Sequence, residues 1–187
     1  MDQDVNYYKA LLDKHGPTHA AVDAGSQYTH QRRLQVLAEV IKNHTDSVLD
    51  VGCGLGHFLD YGPACRKEDY LGIDILPEMV EAALLRRPGW RFEEGDIEKP
   101  NPLWVADYVV ASGLFQFAED PFMILKNMYD LSRKAVAVNF LREGTIEEYV
   151  CEPWLVLNMA FRLTPYVTLR ADYLPNDFTL YLYKEKQ

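Results

Sequence analysis

Short apolar runs alternate with amphipathic stretches along most of the chain, a pattern that predicts strand–helix–strand units on a mainly parallel sheet. Between His30 and Asn43 the apolar residues Leu34, Leu37, Ala38 and Ile41 recur at helical spacing with polar residues between them, which predicts a helix ahead of the first strand. Strands are expected at Ser47–Val51, Tyr70–Ile75, near Trp90–Glu94, Ala106–Ala111 and Ala135–Leu141. Helices are expected at His57–Ala64, from Pro77 to about Arg87 and from Pro121 through Leu131, with a proline suited to the first turn of the last two. The tail changes character: Glu148–Phe161 reads as a helix, while Val167–Tyr173 and Phe178–Lys184 alternate as strands around the turn sequence LPND. At the other end Val5–Lys14 reads as a helix, and HGPTHAAVDAGSQ, rich in Gly, Pro and small polar residues, as an irregular flap. The expected fold is α/β, a single doubly wound domain over residues 1–187. Residues 1–29 form its N-terminal helix and flap, and residues 30–187 its core, a mainly parallel seven-stranded sheet with an antiparallel C-terminal hairpin.

Composition narrows the classes that such a pattern could serve. Among 187 residues 48% are hydrophobic and 25% charged, a globular balance that excludes fibrous and largely disordered chains. With 19 basic against 28 acidic residues the formal charge is −9, which opposes a nucleic-acid backbone as partner. Apolar runs such as AVAVNFL fall short of the roughly 20 residues a bilayer requires, and the start MDQDVNYYK lacks a secretion signal, so a cytoplasmic protein without membrane contact is expected. Cys53, Cys65 and Cys151 are odd in number and form no C-x-x-C, which points to reduced thiols and no metal site. Nothing in the sequence bears on oligomeric state.

The candidate chemistry lies in VLDVGCGLG, Val48 to Gly56, where the first strand turns into a helix. Gly52, Gly54 and Gly56 carry no side chains there, so a flat ligand can lie on the backbone beyond the strand's carboxyl end, where open α/β sheets bind ligands. Roughly 20 residues on, the second strand ends at Asp74, whose carboxylate can accept from both hydroxyls of a ribose. Asp96, in GDI after the third strand, can accept from an adenine amino group, with Ile75 and Ile97 as apolar faces for the ring. Asp50, Asp74 and Asp96 would then line one ligand. That acidic rim disfavours a pyrophosphate and favours a ligand bearing sulfonium and ammonium groups. The dinucleotide fingerprint G-x-G-x-x-G fails because its last glycine falls at His57, and no G-K-[ST] follows for a phosphate loop.

In these motifs the sequence resembles the class I S-adenosylmethionine-dependent methyltransferases. VLDVGCGLG resembles their first motif, GID the second-strand acidic motif, GDI the adenine-contact motif and ADYVVASGLF the fourth-strand motif facing the methyl centre. The start and the LPNDFTLYLYK finish resemble small bacterial members without a large cap domain. The resemblance implies S-adenosyl-L-methionine as cofactor and S-adenosyl-L-homocysteine as product. It also implies contacts from Gly52–Gly56, Cys53 included, to the methionine part, from Asp74 to ribose and from Asp96 and Ile97 to adenine, with Ser112 at the edge of the acceptor site. Asp50 reaches the ligand's amino group through water or bonds to the turn's backbone. Arg33 is the expected donor to the ligand's carboxylate, with Tyr28 as a weaker candidate for the same pocket. Phe115, Gln116 and Asn139 are candidates for the acceptor pocket, and His15, His19 and His30, in or near the flap, for a general base. With nearly all its length in the core, the chain is expected to methylate oxygen or nitrogen of a small-molecule acceptor. Two other readings stay open: a non-catalytic protein that binds S-adenosylmethionine or S-adenosylhomocysteine, and an NAD-dependent oxidoreductase.

Overall fold

The computed structural model of the protein describes residues 2–22, 24–62, 65–115, 118–142 and 151–187. In chain order the elements are α1 (Asp2–His15), a 3-10 turn (His19–Val22), α2 (Gln27–Ala38), β1 (Val48–Val51), α3 (Phe58–Tyr61), β2 (Tyr70–Asp74), α4 (Pro77–Arg86), β3 (Phe92–Glu94), β4 (Ala106–Ser112), α5 (Pro121–Leu131), β5 (Ser132–Leu141), α6 (Pro153–Phe161), β6 (Val167–Arg170) and β7 (Asp177–Tyr183). The seven strands form one sheet in the order β3-β2-β1-β4-β5-β7-β6. β1 pairs in parallel with β2 and β4, and β2–β3 and β4–β5 are parallel too. β7 runs antiparallel to both of its neighbours, inserted between β5 and β6. The expected mainly parallel sheet with a C-terminal hairpin is therefore present. The hairpin's second strand joins β5, which leaves β6 at the edge running in the direction of β5.

Strand residues are apolar on both faces because each face is covered by helices. Leu49, Val51, Val109, Ala111, Val136 and Val138 pack on one side with Ile124, Leu125 and Met128 of α5 and Val156 and Ala160 of α6. Val48, Tyr108, Val110, Ala135 and Ala137 face the other way, onto Leu34 and Leu37 of α2, Phe58 of α3 and Val80 and Ala83 of α4. Each fully buried Leu, Ile or Met contributes on the order of 1.5–3 kcal/mol, so the helices are held mainly by these stripes. Pro121 opens α5, and the Asp120 side chain accepts from Met123 N as its cap. α2 starts three residues earlier than the periodicity predicts and stops at Ala38. Ser26 caps it by accepting from Thr29 N at 3.1 Å, a cap signal sitting inside what reads as flap. α3 is shorter than expected: after Tyr61 the chain is extended at Gly62, whose N–H closes the last turn on Phe58 O at 2.7 Å.

The N-terminal segment is partly ordered against the core rather than irregular throughout. Ala21 and Val22 of the 3-10 turn pack with Tyr8 and Leu12 of α1 against Leu55, Leu76 and Met79. This seats the flap on the glycine turn and on the start of α4. No helix of the described residues is long and apolar enough to cross a membrane.

Candidate active site

At the carboxyl end of β1 the chain reverses through Gly52, Gly54 and Gly56 with φ of +67°, +50° and +68°, values that residues with a Cβ rarely adopt. The turn is anchored from the neighbouring strand: Cys53 N donates to Ile73 O at 3.0 Å, and Gly54 N donates to Asp74 Oδ2 at 2.8 Å. Asp74 Oδ1 accepts from Leu76 N at 3.0 Å, so one carboxylate ties the glycine turn to the start of α4. The missing side chains leave room for close neighbours. A Cβ on Gly54 would lie 2.9 Å from Val22 Cγ1 of the flap, and one on Gly52 3.2 Å from Leu114 Cδ1 after β4. At Gly56 the nearest atom is Phe92 Cζ, at 2.7 Å, so this glycine serves the packing of β3 against the turn.

Asp50 points into the sheet layer below the turn and accepts from Tyr70 Oη at 2.8 Å. It bonds neither to the turn's backbone nor, among the described residues, to a cation. Burial first, with the nearby Asp74 adding to it, raises its pKa to about 7 against the pull of the Tyr70 hydrogen bond. Burial also raises the pKa of Asp74, opposed by its backbone donors. The Cys53 thiol packs against Gly72 behind the turn, and burial pushes its pKa well up, so it is an inert packing group.

The other expected cofactor residues separate. Ile75 stands at the rim, 37% exposed. Ile97 is buried in the main core, and Asn127 Nδ2 donates to its carbonyl at 2.9 Å. Asp96 caps its own turn, accepting from Glu98 N at 2.9 Å and pairing with Lys99 at 3.4 Å. Arg33 is engaged within the protein: its Nε and Nη2 donate to the two carboxylate oxygens of Asp177, the second at 3.2 Å.

That ion pair opens a polar network at the ends of β4 and β5. Asn139 Nδ2 donates to Asp177 Oδ1 at 3.1 Å and to Tyr173 Oη at 2.9 Å. Tyr173 Oη and Thr179 Oγ1 share a hydrogen bond of 2.8 Å, and Ser112 Oγ approaches Asn139 Oδ1 at 3.4 Å. On the opposite face of the sheet, Phe115, Phe140 and Phe178 follow one another with ring centroids 4.8 Å and 5.2 Å apart. Ser112 and Asn139 are thus brought together, whereas Phe115 packs against the core on the other face of the sheet, Tyr28 is 68% exposed and Gln116 lies outside the described residues. Tyr173 and Asp177 carry this arrangement yet read in sequence as strand and turn residues. Nothing in the spacing links them to Arg33, 144 positions away from Asp177.

The histidines divide similarly. His15 is half-buried at the end of α1, where its carbonyl accepts from Thr18 Oγ1. His19 is half-buried in the flap. His30 is buried on α2, its ring edge-on to His57 at 4.9 Å and its Nε2 without a hydrogen-bond partner among the described residues. Burial, then the Arg33 charge, lowers the His30 pKa to about 4, so at neutral pH it is an uncharged imidazole with little drive to take a proton.

Strand order, the glycine turn at the tip of β1 and its carboxylate partner on β2 are those of a doubly wound α/β domain with a ligand site at the carboxyl ends of its parallel strands. Residues 49–134 match the family described as "Methyltransferase domain". Among curated proteins, a Mycobacterium tuberculosis protein named for methyltransferase activity is 50% identical over 70 residues, 37% of this chain and 42% of its own length. Trans-aconitate 2-methyltransferase of Rhizobium etli is 32% identical over 100 residues, 51% of this chain and 38% of its own length. The chain thus aligns with about two-fifths of each of these relatives. Magnesium protoporphyrin IX methyltransferase from Synechocystis, solved with S-adenosylhomocysteine, superposes with a TM-score of 0.71 at 13% identity over 98% of this chain and 95% of that one. N-methyltransferase NodS from Bradyrhizobium japonicum, also with S-adenosylhomocysteine, gives 0.70 at 17% identity over 94% and 97%. At such identities the superpositions speak for the fold.

Proposed function

We propose that the chain is an S-adenosylmethionine-dependent methyltransferase acting on oxygen or nitrogen of a small-molecule acceptor. The observation that carries this is the bare glycine turn, locked by Asp74 and bordered by two buried carboxylates that no cation neutralises among the described residues. The donor set fits the group. Each oxygen of Asp74 keeps a lone pair for a ribose hydroxyl beyond its bond to Gly54 N or Leu76 N, and the paired negative groups favour a cationic ligand over a pyrophosphate. A small acceptor is supported by the relatives named for trans-aconitate.

S-adenosylmethionine supplies, when bound, an activated methyl group for in-line displacement, so the chain's task is chiefly to hold and align. The glycine turn seats the ligand's backbone-facing side, Asp74 accepts from the ribose, and Val22 and Leu114 cover the turn from the flap and from the loop after β4. Arg33, its Nε and Nη2 taken by Asp177, turns the opposite edge of its guanidinium to the ligand's carboxylate. Ser112 borders the acceptor. A carboxylate acceptor needs no base, because it is already anionic at neutral pH and alignment with exclusion of water suffices.

Calorimetry with S-adenosylmethionine, S-adenosylhomocysteine and NADH tests the reading, together with transfer of labelled methyl groups to the small-molecule fraction of cell extracts. Saturable binding of both adenosyl ligands, weakened by about 1.5–3 kcal/mol in Asp74→Ala, is expected. Binding of NADH alone would overturn the proposal, and adenosyl-ligand binding with no methyl transfer to any extract would reduce the chain to a binding protein.

A further inference from the structure

We propose that Asp177 is a positioning residue which, through Arg33, sets the end of the site that receives the cofactor's amino-acid carboxylate, with Asn139, Tyr173 and Thr179 fixing Asp177 in turn. The inference rests on the methyltransferase reading above.

Four parts of the chain converge on this point: α2 brings Arg33, β5 brings Asn139, the connection after β6 brings Tyr173, and β7 brings Asp177 and Thr179. Burial differs sharply within the pair. The Asp177 side chain is 4% exposed and that of Arg33 17%, so the carboxylate is the more enclosed member of the pair. A guanidinium is planar, and a carboxylate gripping its Nε and Nη2 edge fixes the direction of the remaining Nη1 edge. Asp177 in its turn cannot swing, because Oδ1 also accepts from Asn139, whose amide is held by Tyr173 on one side and approached by Ser112 on the other. The Tyr173–Thr179 hydrogen bond closes the chain, and burial of Tyr173 raises its pKa, so its hydroxyl stays protonated at neutral pH.

Position within the sheet gives the network its direction. Ser112 and Asn139 face each other in register at the carboxyl ends of β4 and β5, on one side of the glycine turn, while Asp74 ends β2 on the other. A ligand lying across the turn with its ribose at Asp74 therefore extends its far end toward Arg33. Asp177 sets the angle at which that end is met.

The test compares two probes, S-adenosylhomocysteine and 5′-methylthioadenosine, which share the adenosyl thioether and differ in the amino-acid group. Asp177→Asn is expected to weaken S-adenosylhomocysteine at least tenfold while 5′-methylthioadenosine changes less than twofold. Arg33→Met should do the same, and the double variant should lose no more than Arg33→Met alone. Tyr173→Phe keeps the ring and removes the hydroxyl; it serves as the milder variant if Asp177→Asn does not fold, with a two- to fivefold loss expected for S-adenosylhomocysteine only. Parallel weakening of both probes, or of neither, would overturn the positioning role and leave the network purely structural. If the unmodified protein binds neither probe, it is the methyltransferase reading itself that fails.

Discussion

Asp50 offers a stability prediction whose sign and size follow from its surroundings. In the unfolded chain its carboxyl titrates near 3.8, whereas in the fold burial, reinforced by Asp74, raises the pKa to about 7. A raised acid pKa means that the native state holds a proton which the unfolded state has released, so the group's contribution is intact below pH 3.8 and is lost as pH rises toward 7. The full difference is about 3 pH units, on the order of 4 kcal/mol, of which about 3 kcal/mol falls between pH 4.5 and pH 8. Asp50→Asn removes the titration and keeps an oxygen to accept from Tyr70 Oη. Its new amide N–H needs a partner, which costs about 1–2 kcal/mol at every pH. The variant should therefore trail the parent by about 1–2 kcal/mol at pH 4.5 and exceed it by about 1–2 kcal/mol at pH 8, measured by urea unfolding at both values. A stability difference that is flat with pH would show that Asp50 ionises as an ordinary carboxylate and would refute the raised pKa.

His57, with its pKa lowered to about 3 chiefly by burial and then by the neighbouring His30, should destabilise the fold as pH falls below 6.5, where only the unfolded chain takes up the proton. His57→Phe keeps the edge-on ring contact and is expected to recover about 2–3 kcal/mol at pH 4.5 relative to pH 7; equal acid sensitivity in thermal melts would refute this. Gly95→Ala would place a Cβ 2.3 Å from the Trp104 ring and should cost about 1–3 kcal/mol, whereas Gly25→Ala, with nothing within 4 Å, should stay within about 0.5 kcal/mol. Gly54→Ala combines a φ of +50° with a Cβ 2.9 Å from Val22, so about 1–2 kcal/mol of stability and most S-adenosylhomocysteine affinity should be lost. Adding Val22→Ala should relieve the contact but not the strain, and full recovery of stability in the double variant would contradict the backbone argument.

Elements with strong local punctuation were legible in the sequence, and those set by distant partners were not. Pro77 and Pro121 placed the starts of α4 and α5 where the structure has them, and the apolar runs of β1, β2 and β4 were found to within a residue because both sheet faces are covered. The start of α2 was displaced because Ser26 and Thr29 look like loop residues until their cap is seen. At the site, the glycines and Asp74 announce themselves through spacing alone. Asp177 does not, since an acidic residue after Leu174-Pro175-Asn176 has a sufficient local explanation as a turn. Its bond to Arg33 depends on β7 inserting beside β5, a long-range pairing that no local pattern encodes. Tyr70, which holds Asp50, reads equally well as an ordinary core aromatic.

The arrangement of charge across the carboxyl end of the sheet then separates the ligand classes more sharply than the glycine spacing does. On the β1–β2 side Asp50 and Asp74 are buried without a cation bonded to either among the described residues, while on the β5–β7 side Arg33 and Asp177 neutralise one another. Unit charges about 4 Å apart near a protein surface interact by about 4 kcal/mol, so a pyrophosphate laid on the turn would meet repulsion of that order from an ionised Asp50 or Asp74. A sulfonium would gain a similar amount, and its carboxylate would lie at the end where Arg33 stands.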